Sequence, residues 1–203
     1  MVLKQAASAI ALLLMSSIAI AQQPPDAVRL RGTIESKDHQ VLDVKARGGE
    51  NLKVKLAENA PVRAVVKASL SDIKSGSSVG ITAMPQPDGT QKAVEIHIFP
   101  EAMRGTGEGH RPWDLLPNST MTNATVATEV ASSNGKSLVL KYKDGEKTFE
   151  VSPNASVVTF APATDADLRP GEKVFSATAK KLPDGTIEAS NITVGRNGLN
   201  PPM

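Results

Sequence analysis

The chain of 203 residues has no cysteine, so no disulfide staples it and no thiolate serves as nucleophile or metal ligand. Histidine is scarce: His39, His97 and His110 form neither an H-x-H nor an H-E-x-x-H pattern, so the usual spacings of zinc ligands are missing. Aromatic residues amount to one Trp, one Tyr and four Phe, too few for the stacking platforms of single-strand binders. Charge of one sign is lacking as well. The 23 Lys and Arg and 21 Asp and Glu are interspersed, the net charge is +2, and no polyanion-binding stripe stands out. Nucleic acid is therefore not expected as a partner.

Long apolar runs are missing everywhere except at the start. Lys4 precedes an uncharged stretch from Gln5 to Ala21 that ends in Ala19-Ile20-Ala21 before Gln22-Gln23-Pro24-Pro25. This is the pattern of a signal peptide over 1–21, cleaved after Ala21. The run is shorter than the roughly 20 apolar residues of a firm membrane span and is weakened by Ser8, Ser16 and Ser17. The expectation is a periplasmic or secreted protein with no membrane span once the leader is removed.

What the sequence does contain is self-similarity, which bears on architecture before any local pattern does. Residues 28–99 align with 122–195: Leu42-Asp43-Val44-Lys45 with Leu138-Val139-Leu140-Lys141, Asp72-Ile73-Lys74-Ser75-Gly76 with Asp167-Leu168-Arg169-Pro170-Gly171, and Pro87-Asp88-Gly89-Thr90 with Pro183-Asp184-Gly185-Thr186. Within each segment apolar residues alternate with polar ones, as in half-buried strands, and Asp88-Gly89, Asn134-Gly135, Asp144-Gly145 and Asp184-Gly185 supply hairpin turns. Three strands, one short helical turn at Ser69–Lys74 or Thr164–Arg169, then two strands is the order of an OB-type barrel. The expected fold is all-β: two tandem five-stranded OB-like barrels over 28–99 and 122–195, each with a short helical turn, joined by an ordered segment at 100–121 and followed by a tail at 196–203.

The run Asp-Leu/Ile-Lys/Arg-x-Gly, an alternating strand and Pro-Asp-Gly-Thr resembles the bacterial exported family called domain of unknown function 5666, over most of both segments. That resemblance implies a bacterial source, export and a barrel, and no activity. The stretch from Phe99 to Asn123 is similar to exported proteins sometimes labelled metal transporter permeases, a label at odds with this chain, because a permease needs several membrane-spanning helices.

Segment 100–121 matches neither copy and holds the only Trp. One reading is an ordered tether in which Trp113, Leu115 and Leu116 plug an apolar groove between the repeats. The other is a recognition loop, with Trp113 as a stacking face, Arg104, His110 and Arg111 as anion or metal contacts, and Asp114 beside them in the ligand-binding set. Glu108 with His110 is the alternative metal pair. Gly76-Ser77-Ser78-Val79-Gly80 fits G-x-S-x-G, but the nucleophile elbow needs a strand entering and a helix leaving, and the order here is reversed. Gly105-Thr106-Gly107-Glu108-Gly109 lacks the helix start of a phosphate loop. His97 alternates with apolar neighbours and is expected on the solvent side with Glu95.

The functional expectation is a non-enzymatic periplasmic binding or scaffold protein, without cofactor, that serves a small ligand or an envelope protein. Hydrolase chemistry is not expected. The alternative is an accessory of envelope metal or small-molecule transport that uses the inter-repeat segment. Unpaired barrel edges would allow a homodimer.

Overall fold

The structure, a computed structural model, describes residues 27–132 and 135–201. The expected leader, Asn134 of the expected Asn134-Gly135 turn, and the last two residues of the expected tail lie outside them. No helix among the described residues is long and apolar enough to cross a membrane.

Six strands come from the first half: β1 (Ala27–Asp38), β2 (Val41–Ala46), β3 (Asn51–Leu56), β4 (Val62–Lys67), β5 (Ser78–Pro85) and β6 (Gln91–Ile98). The intervening segment adds β7 (Gly109–Pro112). Then follow β8 (Thr120–Ser132), β9 (Gly135–Tyr142), β10 (Gly145–Val151), β11 (Ser156–Pro162), β12 (Lys173–Lys181), β13 (Ile187–Ala189) and β14 (Ile192–Gly195). The expected helical turns are 3-10 turns over Leu70–Asp72 and Asp165–Asp167. Each is opened by a capping box: Ser69 with Asp72, and Thr164 with Asp167.

Strand pairing closes two five-stranded barrels. In the first, β1, β2 and β3 form an antiparallel meander, β13 runs parallel to β3, and β12 pairs antiparallel with both β13 and β1. In the second, β8, β9 and β10 form the meander, β6 runs parallel to β10, and β5 pairs antiparallel with β6 and β8. Both circuits follow the OB-like order, and their first strands carry matching register shifts, between Ile34 and Ser36 in β1 and between Val126 and Thr128 in β8. Such bulges bend a long strand so that it serves two neighbours around a small barrel.

The barrels do not coincide with segments 28–99 and 122–195. Each takes its meander from one segment and its closing strands from the other, and this corrects the expected one-barrel-per-segment allocation. The crossing is made by β4 and β11, which pair antiparallel with each other, while β14 lies parallel to β4 and β6 parallel to β11. Alternation shows which face of a strand is buried. It does not distinguish between two similar segments as the source of its neighbour, because the inward residues of either complete the same core.

Each core is accordingly mixed. Leu30, Ile34, Leu42, Val44 and Val54 pack with Leu168, Val174, Ile187 and Val194 in the first barrel; Ile73, Ile81 and Ile96 pack with Val126, Leu138, Leu140 and Phe149 in the second. A third cluster, Val65, Phe99, Val158 and Phe160, fills the linking sheet. Close packing requires glycine at position 32, where a Cβ would lie 2.5 Å from both the Lys45 carbonyl oxygen and Val44 Cγ1.

Candidate functional site

The seam between the barrels is built from the outward faces of β1, β5 and β6 and from the 100–121 segment. The segment first fastens to the second barrel. The Arg104 guanidinium donates to the Gly76 carbonyl and to Glu101. Thr106 O accepts from Asn123 Nδ2, and Glu108 Oε1 accepts from the backbone N–H of Lys143. β7 then pairs with β8, which sets His110 Nδ1 at 2.7 Å from the Thr122 hydroxyl and its ring 6.5 Å from that of Tyr142. Burial lowers the His110 pKa, with Lys147 and Arg111 adding repulsion. The three loop glycines, Gly105, Gly107 and Gly109, all have positive φ, which makes the tight reversal before β7 accessible.

Beyond Pro112 the segment crosses to the first barrel. The indole of Trp113 lies among guanidinium groups, with Arg29 at 4.1 Å, Arg111 at 5.5 Å and Arg31 at 5.9 Å from the ring centroid. This corrects the expected apolar groove: Trp113 is docked through cation–π contact. Arg31 also stands 4.4 Å from the Phe175 ring and donates to Asp114 Oδ1 at 3.0 Å, with Arg29 at 3.7 Å from the same oxygen. Arg47 donates to the carbonyls of Asp114 and Leu115. Burial pushes the Asp114 carboxyl up, but the Arg31 hydrogen bond and the Arg31 and Arg29 charges outweigh it, and its pKa ends below the usual range. Burial lowers the pKa of Arg31 and of Arg111.

A buried polar row lies on the adjoining face of the second barrel. Across β8, β5 and β6, Asn123 is in register with Gly80 and His97, and Met121 with Thr82 and Glu95. His97 is 1% exposed and is flanked edge-on by Phe99 at 4.7 Å and Phe160 at 5.9 Å. Neither of its ring nitrogens has a hydrogen-bond partner among the described residues. Burial, with Arg111 adding repulsion, holds its pKa down to about 3, so the ring is neutral. Glu95, 9% exposed, is pushed up to about 7 by burial, against the pull of Arg31. Both residues were expected in solvent. Alternation correctly turns them out of their own barrel, but on that outward face the Phe99 and Phe160 rings pack against His97, and the seam cations Arg31 and Arg111 lie near Glu95 and His97. Gly80 is required here, since a Cβ would stand 1.9 Å from His97 Nε2.

Next to the seam, on the first barrel, a cleft of about 470 Å³ opens between β1, β2 and β12. Arg31, Thr33, Lys45, Arg47 and Lys173 line it, with Leu115 and Pro201 as its apolar walls; no Asp or Glu does. Of the residues expected to form a site, the fold gathers Arg111, Trp113 and Asp114 at the seam, while Arg104, Glu108 and His110 fasten the segment elsewhere. Among the described residues no group of three His, Cys, Asp or Glu is placed to hold a metal ion. Arg29, Arg31, Arg47, Lys45 and Lys173 were missed. The outward alternation of Arg29 and Arg31 in β1 and of Lys45 in β2 was legible, but the adjacency of β12, which brings in Lys173, was not.

Comparison of the chain with protein-family models, curated proteins and solved structures gives no match.

Proposed function

We propose that this chain is a non-enzymatic binding or scaffold protein of the bacterial envelope, in which two interlocked barrels hold a preformed cleft beside the Trp113 segment. The observation that carries this reading is the cleft itself: a concave site of ligand-like volume with convergent polar groups between apolar walls. Its walls are held by the arginine contacts to Asp114 and Leu115, so little ordering entropy is spent on binding. The leader expected over 1–21 and the resemblance to an exported family support the envelope.

The test is a thermal-shift panel of neutral, cationic and anionic small molecules on the purified protein and on Thr33→Trp, whose indole would fill the cleft from the outward face of β1. At least one class should raise the melting temperature saturably, by the linkage of ligand to the native state. The effect should vanish in Thr33→Trp while the unliganded melt and circular dichroism stay close to those of the parent. A panel with no response, or responses that Thr33→Trp leaves intact, would overturn the reading.

A further inference from the structure

We propose that the cleft selects small molecules carrying carboxylate or phosphate oxyanions, an inference that rests on its being a binding site. Thr33 of β1 is paired with Lys45 of β2 on one side and Lys173 of β12 on the other. Residues directly opposite in antiparallel strands project to the same face with Cβ atoms about 5 Å apart. A hydroxyl donor therefore sits between two ammonium groups on the cleft floor.

What sets these two lysines apart is their place: both line the one cleft, opposite Thr33, with no Asp or Glu in the lining, and neither has a carboxylate partner among the described residues. One row along, Arg31 and Arg47 reinforce the positive field. Their donors are partly committed to Asp114 and to the Asp114 and Leu115 carbonyls, so they stand fixed in orientation. Asp114 is the acid that answers this group, and it lies on the seam side and not in the cleft lining. Four cations facing one concavity repel each other, and an anion with several oxygens relieves that repulsion while accepting charge-assisted hydrogen bonds. The Leu115 and Pro201 walls leave room for an apolar portion of the same molecule. The seam supplies the orientation and the cleft the unspent charge.

Pyrophosphate and citrate are the probes, titrated separately into the isotope-labelled full chain at constant ionic strength, with glucose as the neutral control. Saturable amide shifts are expected at Thr33, Lys45 and Lys173 with both anions, or with the one whose oxyanion source the cleft prefers. Affinity should fall about tenfold or more in Lys45→Gln/Lys173→Gln, since each lost charged hydrogen bond is worth roughly that factor. Lys53→Gln, whose lysine pairs with Asp43 outside the cleft, should bind as the parent does. Shifts that persist in the double glutamine variant, shifts that map elsewhere, or none with either anion would overturn the inference. If a neutral compound of the thermal panel binds and Thr33→Trp blocks it while Lys45→Gln/Lys173→Gln does not, the anion preference falls and the binding reading stands.

Discussion

The two barrels share strand order, matching bulges and mixed aliphatic cores, yet their outward faces at the seam have opposite chemistry. The first presents arginines, Arg29, Arg31 and Arg47, held by Trp113, Phe175 and Asp114. The second presents a buried row of uncharged or protonatable groups, Thr82, Glu95, His97 and Asn123. The difference shows that inward residues determine barrel closure and tolerate exchange of strands between similar halves, whereas outward residues make the halves non-equivalent. The equivalent row of the second barrel, Ser78, Thr125 and Lys141, carries one lysine where the first carries two, and the pocket beside it is lined by Glu108 as well as Arg104, so its charge is balanced where that of the first is not.

The strongest way to break the comparison is to hollow each core in turn. Leu42→Ala in the first barrel and Leu138→Ala in the second, both fully buried, should each cost about 2–5 kcal/mol. Because each barrel is closed by strands from the other half, either variant should shift one shared unfolding transition in denaturant. Two separate transitions, one per barrel, would contradict the exchanged pairing.

The polar row should reveal itself through pH. A carboxyl raised in the folded state to about 7 contributes stability that is complete below its unfolded pKa near 4.5 and is lost as pH rises through 7. His97, held down to about 3, works in the opposite sense: its contribution is complete above 6.5 and is lost as pH falls. Between pH 4.5 and 6.5 the two slopes oppose each other and stability should be nearly flat. Glu95→Gln should uncover the histidine slope, so that stability falls on acidification across that window. At pH 8 the variant should exceed the parent by up to about 3 kcal/mol, and near pH 4 it should match it. Urea titrations at pH 4, 6 and 8 check this, and a variant as flat as the parent between 4.5 and 6.5 refutes it.

A smaller contrast lies in the two close-packed glycines. Gly80→Ala should displace His97 from the seam at a cost of about 1–3 kcal/mol. Gly32→Ala meets the backbone of β2, so it should distort the first barrel and cost at least as much. Thermal melts rank the two, and a neutral Gly80→Ala would mean that His97 does not lie over β5. Smallest of all, Arg29→Met should remove the nearest cation from the Trp113 ring and cost about 0.5–2 kcal/mol. Its red-shifted tryptophan emission would report the loosened seam, and an unchanged spectrum would argue that Arg29 does not hold the indole.

Much of the fold was legible in advance. Alternation located the strands around Leu42, Val54, Leu138 and Phe149, the Asp-Gly turns located the hairpins, and the two capped turns appeared where Asp72 and Asp167 stand. The site was legible only in part. Arg111, Trp113 and Asp114 stood out because a glycine-rich, charged segment matching neither copy held the sole Trp with Leu115 and Leu116, and large apolar side chains in such a segment must dock somewhere. Its partners did not stand out, because an outward cation in a strand reads the same whether it faces solvent or another element.

The sequence by itself determined which residues pair locally, which face of each strand turns inward and that the chain contains two similar sets of strands, since these follow from side-chain alternation and turn conformation within a few residues. Only the tertiary structure decided which set closes which barrel, that His97 and Glu95 are buried, and that Lys45, Thr33 and Lys173 form one row. Those outcomes depend on contacts between strands far apart in the chain, for which the two halves offer nearly equivalent partners, and local pattern carries no term that separates them.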